Sequence, residues 1–220
     1  MEGTMIKFYY TPIPDGKKIA IFLEELELSY SIHPFKLSNV DYPLQTLTTL
    51  SPEERGPIII DPKPHTGEPP LTLYGASTIL VYLAEKSGHL ASFGLRHRYD
   101  VLQWLFWVEN KLMSTLENME YFSHHSKRII PSTIELYQNE TIAVYQSLNQ
   151  NLTKNMYIAG DSYSIADIAL YPLVDAYQKQ RIDLQNYPAV NNWYQRISKR
   201  QAVVIAKRID TEWQLKGKRE

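Results

Sequence analysis

The chain has 220 residues, 44% of them hydrophobic and 21% charged, with 23 basic against 24 acidic side chains and a formal net charge of −1. That composition can bury a core and exerts no overall pull on nucleic acid or anionic membrane. With zero cysteines, disulfides, cysteine metal sites and a cysteine nucleophile of its own are excluded.

Residues 5–10 (Met5-Ile6-Lys7-Phe8-Tyr9-Tyr10) are rich in strand formers, and Pro12, Pro14 and Gly16 are expected to end them in a loop. Ile19, Phe22, Leu23 and Leu26 then recur at the spacing of one helix face. Ser31–Leu37 reads as a second strand, followed by a polar loop that runs to Ser51-Pro52. Ile58–Ile60 reads as a short buried strand and Leu71–Tyr74 as its hairpin partner. From Ser77, the residues Ile79, Leu80 and Leu83 share one side of a helix that ends near Gly88.

Beyond Gly94 strand signals disappear and helical spacing takes over, over Leu95–Phe122, Pro131–Leu152, Ser164–Tyr177 and Pro188–Lys207. The expected division is residues 1–87, a linker at 88–93, and an all-helical domain at 94–220. The start of one helix is explicit: Ser164 can cap it while Asp167, at the third helical position, accepts bonds from the cap and faces the positive end of the helix dipole. No run approaches the ~20 apolar residues of a membrane span, and no basic segment precedes an apolar signal region, so a cytoplasmic protein is expected.

The order strand, helix, strand, loop, strand, strand, helix is a thioredoxin-like pattern. Together with the helical second half and the Ser-x-x-Asp cap, it resembles the glutathione S-transferase superfamily. Lys18-Ile19-Ala20-Ile21-Phe22-Leu23-Glu24-Glu25, Ile79 through Lys86, Gln103-Trp104-Leu105-Phe106-Trp107, and Ile158 through Pro172 are similar to bacterial nu-class transferases and the yeast nitrogen-regulator-like proteins. The resemblance implies an α/β thioredoxin-like N-terminal domain, an all-α C-terminal domain, a symmetric homodimer, glutathione as co-substrate and no metal.

In nu-class relatives the loop after the first strand resembles Thr-Pro-Asn-Gly, and its threonine donates to the glutathione sulfur, favouring the nucleophilic thiolate. Here that stretch is Ile13-Pro14-Asp15-Gly16. Isoleucine cannot donate, and Asp15 adds negative charge where the thiolate forms, although Asp before Gly is also ordinary turn chemistry. Pro57 stands where the family has a cis-proline whose predecessor, here Gly56, pairs through its backbone with the cysteine of glutathione. Arg55 matches a basic position that holds a ligand carboxylate, or is a solvated surface arginine. The family's Glu-Ser pair, which binds the γ-glutamyl end at a helix start, is replaced by Gly75-Ala76, leaving the helix N–H groups and a displaced hydroxyl on Ser77 or Thr78.

Thr11 is the candidate substitute for the missing threonine, its bland alternative being a turn residue, and Tyr10 is a further candidate at the strand end. Gln103 matches a polar residue that reaches toward ligand in relatives. Trp104 and Trp107 are expected in core or interface. The leading function is glutathione conjugation or exchange with a small electrophile or disulfide through an altered thiol site. A non-catalytic binding or scaffold protein, or a glutathione-independent isomerase or lyase of a small metabolite, stands as the alternative.

Overall fold

The structure, a computed structural model, describes residues 5–34, 56–64, 69–88 and 94–217. The chain forms two compact units, one comprising Met1–Gly94 with Lys199–Glu220 and the other Leu95–Ser198. Among the described residues no helix is long and apolar enough to cross a membrane.

The first unit is built on β1 (Ile6–Tyr10), α1 (Pro14–Glu25), β2 (Tyr30–Pro34), β3 (Ile58–Asp61), β4 (Leu71–Tyr74) and α2 (Ala76–Lys86). The strands form one sheet in the order β2-β1-β3-β4. β1 runs parallel to β2 and antiparallel to β3, which is antiparallel to β4. This mixed sheet with its helices is the thioredoxin-like arrangement. β1 alternates, burying Ile6, Phe8 and Tyr10 while Lys7 is exposed, as a half-buried strand does. Those residues meet Ile19, Phe22 and Leu23 of α1 and Ile79, Leu80 and Leu83 of α2 in the buried core.

Pro14 and Gly16, expected in a loop, instead lie in the first turn of α1. Proline suits the first helical position, where an N–H has no partner to lose and φ is already set. Gly16 is required by space, because a Cβ there would stand 2.0 Å from the Thr11 carbonyl oxygen. At the far end of the sheet, Asp61 is 2% exposed. Its carboxylate accepts from Tyr82 Oη at 2.7 Å, from the Lys63 N–H at 2.9 Å and from the Lys86 ammonium. Burial raises the Asp61 carboxyl, but those donors outweigh it and hold the group below its ordinary range.

The second unit is helical: α3 (Gly94–Trp107), a π-helical stretch Val108–Met113, α4 (Ser114–Glu120), a second π stretch Tyr121–His125, α5 (Pro131–Lys154), α6 (Ile165–Val174) and α7 (Pro188–Ser198). The sequence predicts one regular helix over Leu95–Phe122. The rod continues to His125, but each π stretch widens a turn and rephases the buried face. α6 ends at Val174, short of the expected Tyr177, and residues 175–181 turn.

Asp167 organises this unit from a fully buried position. Oδ1 accepts from the Ile158 N–H at 2.9 Å and from Trp193 Nε1 at 2.8 Å. Oδ2 accepts from the Ser164 N–H at 3.0 Å and from Ser164 Oγ at 3.1 Å, completing a capping box. One carboxylate thus ties the loop before α6, the α6 cap and the α7 indole together.

The stretch predicted as a single helix over Pro188–Lys207 is two, α7 and then α8 (Gln201–Gly217), which belongs with the sheet unit rather than with the expected 94–220 segment. The division has a physical basis in α8's contacts with α1. Arg200 grips Glu25 with Nε–Oε1 at 2.6 Å and Nη2–Oε2 at 2.8 Å. Lys17 pairs with Asp210 at 3.0 Å, and Ala202, Val203 and Ala206 are buried.

Asp167→Asn leaves buried donors unmatched and should lower unfolding stability by at least about 2 kcal/mol. Burial pushes the Asp167 carboxyl up from 3.8 to about 6, against the downward pull of its four donors. The unfolded chain therefore releases this proton first, so the group's contribution is complete below pH ~4 and is lost as pH rises through about 6. The urea stability of the wild type minus that of Asp167→Asn should fall by about 3 kcal/mol across that window and then level off; a flat difference refutes the assignment. Gly16→Ala, which must move backbone at Thr11, should cost about 1–3 kcal/mol by the same measurement.

Candidate functional site

The ladder registers bring the separate sequence signals of the first unit to one end of the sheet. Tyr9 lies opposite Ile58, and Ile58 opposite Tyr74. The residue following β1, the Gly56-Pro57 pair preceding β3, and the start of α2 after β4 therefore share an edge. The Gly56–Pro57 peptide bond is cis, and both residues are buried. The Gly75 N–H donates to the Pro57 carbonyl at 3.3 Å, joining the proline to the start of α2.

Gly75 is the N-cap of α2, with φ 79° and ψ 125° and no side-chain cap bond. That backbone region favours glycine, which gives the departure from an acidic residue at this place a conformational basis. Ala76 is buried at the first helical position. Ser77 follows with its Oγ buried and without a hydrogen-bond partner among the described residues. The helix start thus offers N–H groups and one unspent hydroxyl to an anion.

On the β1 side, Thr11 is 4% exposed and its Oγ1 is likewise buried without a partner among the described residues. Its carbonyl is engaged, accepting from the Ile13 N–H at 2.8 Å. A buried hydroxyl left unpaired costs about 1–3 kcal/mol, which a ligand acceptor would recover. Ile13 is the N-cap residue of α1, half-buried and with no side-chain bond to the cap.

Two of the candidates are otherwise occupied. Tyr10 is fully buried, packs edge-on against Trp213 at 5.6 Å between ring centroids, and donates its hydroxyl to Asp210 at 2.8 Å. Burial, then the bond to Asp210 and its negative charge, push the phenol far above its ordinary value. The Tyr10 hydroxyl is thus engaged within the core of the sheet unit. Asp15 pairs with Lys18 Nζ at 2.7 Å, so its charge is offset rather than presented bare to a thiolate. Arg55 lies outside the described residues.

Sequence reasoning passed over Lys18, whose side chain is fully buried at the start of α1. Its neighbour Lys17 has the same chemistry and sits partly exposed on Asp210. Only the three-residue step from Asp15 to Lys18 hinted at which lysine turns inward.

In the second unit, Gln103 is exposed and donates from Nε2 to the Tyr99 carbonyl at 3.2 Å. Trp104 and Trp107, expected in core or interface, are half-buried, with ring centroids 5.2 Å apart and an interplanar angle of 70°. They line an open groove of about 580 Å³ with Asp100, Gln103 and Phe106.

Residues 135–201 match the glutathione S-transferase C-terminal domain family. The chain is 43% identical over 198 residues to the disulfide-bond oxidoreductase YfcG of Escherichia coli K12, spanning 90% of this chain and 92% of the relative. It is similar to a glutathione transferase family member from Pseudomonas fluorescens pf-5, solved with two glutathione bound, at 29% identity and a TM-score of 0.83 over 93% of this chain and 92% of that one. A glutathione transferase from Pseudomonas putida, solved with one glutathione disulfide bound per subunit, superposes with a TM-score of 0.82 at 29% identity over 92% and 90%. Fold order, cis-proline register and near full-length likeness agree, and the chain belongs to the glutathione S-transferase superfamily.

Proposed function

We propose that this protein is a glutathione-dependent disulfide oxidoreductase of the transferase fold, working at the edge formed by Thr11, Gly56-Pro57 and Gly75–Ser77. The observation that carries this reading is the pair of buried, unpartnered hydroxyls, Thr11 Oγ1 and Ser77 Oγ, at the two flanks of the cis-proline. Thr11 would donate to the glutathione sulfur in place of the residue lost at Ile13. The Ser77 hydroxyl and the N–H groups at the start of α2 would take the γ-glutamyl carboxylate. The relative at 43% identity, a disulfide-bond oxidoreductase, favours a disulfide substrate over an alkylating electrophile.

The zero cysteine count constrains the mechanism. With no thiol of its own, the protein cannot form a mixed disulfide with substrate, so every sulfur must come from glutathione or the substrate. A glutathione thiolate attacks one substrate sulfur, forming a glutathione mixed disulfide and expelling the other as thiolate. A second glutathione thiolate attacks the glutathione sulfur of that intermediate, giving glutathione disulfide and the second substrate thiol. Two glutathione thiols are oxidised, one substrate disulfide is reduced, and the released thiolates take up the protons the glutathione thiols gave up. The Pseudomonas fluorescens relative with two glutathione bound supports room for both. Such turnover belongs in a reducing compartment such as the cytoplasm.

A second reading, a non-catalytic binding protein, is favoured by Ile13 and by the absence of a carboxylate at Gly75-Ala76. Losing one charge-assisted bond of ~1.5–3 kcal/mol weakens glutathione by about one to two powers of ten. That lowers affinity without abolishing the backbone cradle. We further propose a symmetric homodimer, supported by exposed apolar side chains on the helical unit, Leu95 at 73% and Ile129 at 79%.

Calorimetric titration with glutathione and glutathione disulfide, paired with glutathione-dependent reduction of 2-hydroxyethyl disulfide, tests the main reading. Thr11→Val should reduce kcat/KM about 10- to 100-fold, and Ile13→Thr should raise thiolate absorbance of bound glutathione at neutral pH. Binding without turnover would favour the scaffold reading, and absence of binding at millimolar glutathione would sink the oxidoreductase reading. Sedimentation velocity should show a species of twice the chain mass; a single monomeric boundary at micromolar protein refutes the dimer.

A further inference from the structure

We propose that Asp210 of α8 is a positioning residue for the thiol site, a clasp that aims Thr11; the inference rests on the reading of Thr11 as the donor to the glutathione sulfur. The Asp210 carboxylate meets residues about 200 positions earlier in the chain, within the same unit. Oδ1 accepts from Tyr10 Oη at 2.8 Å, and Oδ2 pairs with Lys17 Nζ at 3.0 Å. Tyr10 is the last residue of β1 and Lys17 lies in the first turn of α1. One carboxylate therefore ties together the entry and the exit of the turn that carries Thr11 and Ile13.

The turn itself is short and tightly bonded. The Ile13 N–H donates to the Thr11 carbonyl at 2.8 Å, and the Lys17 N–H donates to the Ile13 carbonyl at 3.1 Å. Gly16 leaves no slack behind it, since a Cβ there would stand 2.0 Å from the Thr11 carbonyl oxygen and 3.2 Å from Tyr10 Cε2. The Tyr10 ring is packed edge-on by Phe8 at 5.7 Å and by Trp213 at 5.6 Å between centroids. Trp213 follows Asp210 by three residues, so one face of α8 supplies both contacts.

Docking of α8 as such has other sources. The Arg200 fork on Glu25 and the buried Ala202, Val203 and Ala206 hold the first half of the helix, and Glu25 is the last residue of α1, far along the helix from the turn. Asp210 instead reaches the strand end next to Thr11. The Thr11 hydroxyl has no hydrogen-bond partner among the described residues to fix its direction. Its aim is set by the backbone on either side, and a donor must be held within about 0.5 Å to act on a sulfur. Clasping Tyr10 and Lys17 with one group supplies that constraint.

Glutathione-dependent reduction of 2-hydroxyethyl disulfide by the full chain, with the thiolate absorbance of bound glutathione, provides the test. Asp210→Ala should lower kcat about tenfold or more and reduce the thiolate signal. Glutathione Kd should stay within about threefold, because the cis-proline backbone and the start of α2 bind the rest of the molecule. The Ile13 amide should exchange about tenfold faster. Asp210→Asn, which keeps an acceptor for Tyr10 but gives up the charge facing Lys17, should fall between the wild type and Asp210→Ala. Arg200→Ala cuts the other tie of the same helix and should leave kcat unchanged. In a Thr11→Val background, Asp210→Ala should cost no further activity. A Thr11→Val that loses activity while Asp210→Ala does not overturns the proposal and leaves the donor reading standing. Equal losses in Arg200→Ala and Asp210→Ala, or fully additive losses in the double variant, also overturn it. An inert Thr11→Val refutes the donor reading, and the clasp falls with it.

Discussion

The pairing of β3 between β1 and β4 is the constraint on which the sheet unit and its site depend. A strand's side chains and ends are set by register, and a slip of one residue would invert the faces of the sheet. With Tyr9 opposite Ile58 and Ile58 opposite Tyr74, the end of one strand, the start of the next and the exit of the third converge. Thr11, the cis Gly56–Pro57 bond and the N-cap Gly75 become neighbours through backbone hydrogen bonding alone. The site needs no long loop of its own to assemble this edge, because the ladder performs the assembly.

Charged groups are buried at the junctions of both units, and each is matched by donors or by an opposite charge. Lys18 meets Asp15 at the entry to α1, Asp61 gathers Tyr82, Lys63 and Lys86 at the opposite end of the sheet, and Asp167 joins three segments of the helical unit. A buried charge without such partners would cost several kcal/mol. These carboxylates therefore specify which segments meet, while the aliphatic cores around them supply most of the driving force. The Thr11 and Ser77 hydroxyls are buried without a hydrogen-bond partner among the described residues, and the strand registers place them at the cis-proline end of the sheet.

Much was legible in order and spacing. The strands and first helix announced themselves through alternation and apolar periodicity, and Ser164 with Asp167 gave a helix start that the capping box realises. The cis-proline was legible only through family resemblance, since proline alone carries a small cis tendency. The π stretches in the α3–α4 rod were not legible, because one extra residue per turn barely disturbs an apolar pattern read over a whole helix. Nor was the break at Lys199–Arg200, where helical spacing runs on unchanged but the burying surface changes from one unit to the other.

The site candidates divide along the same line. Residue type by itself decided that no cysteine could carry the chemistry and that Ile13 could not donate to sulfur, since both follow from the atoms a side chain possesses. Tertiary structure decided between chemically equivalent candidates. Tyr10 and Thr11 are adjacent hydroxyls on one strand end, yet the first is bound to Asp210 and the second is left unpaired. Lys17 and Lys18 are identical ammonium groups, yet one is partly exposed and the other fully buried on Asp15. Composition and spacing fix which groups exist and which face they share; which of two like groups stays available depends on partners distant in sequence, and only the folded chain brings those partners into contact.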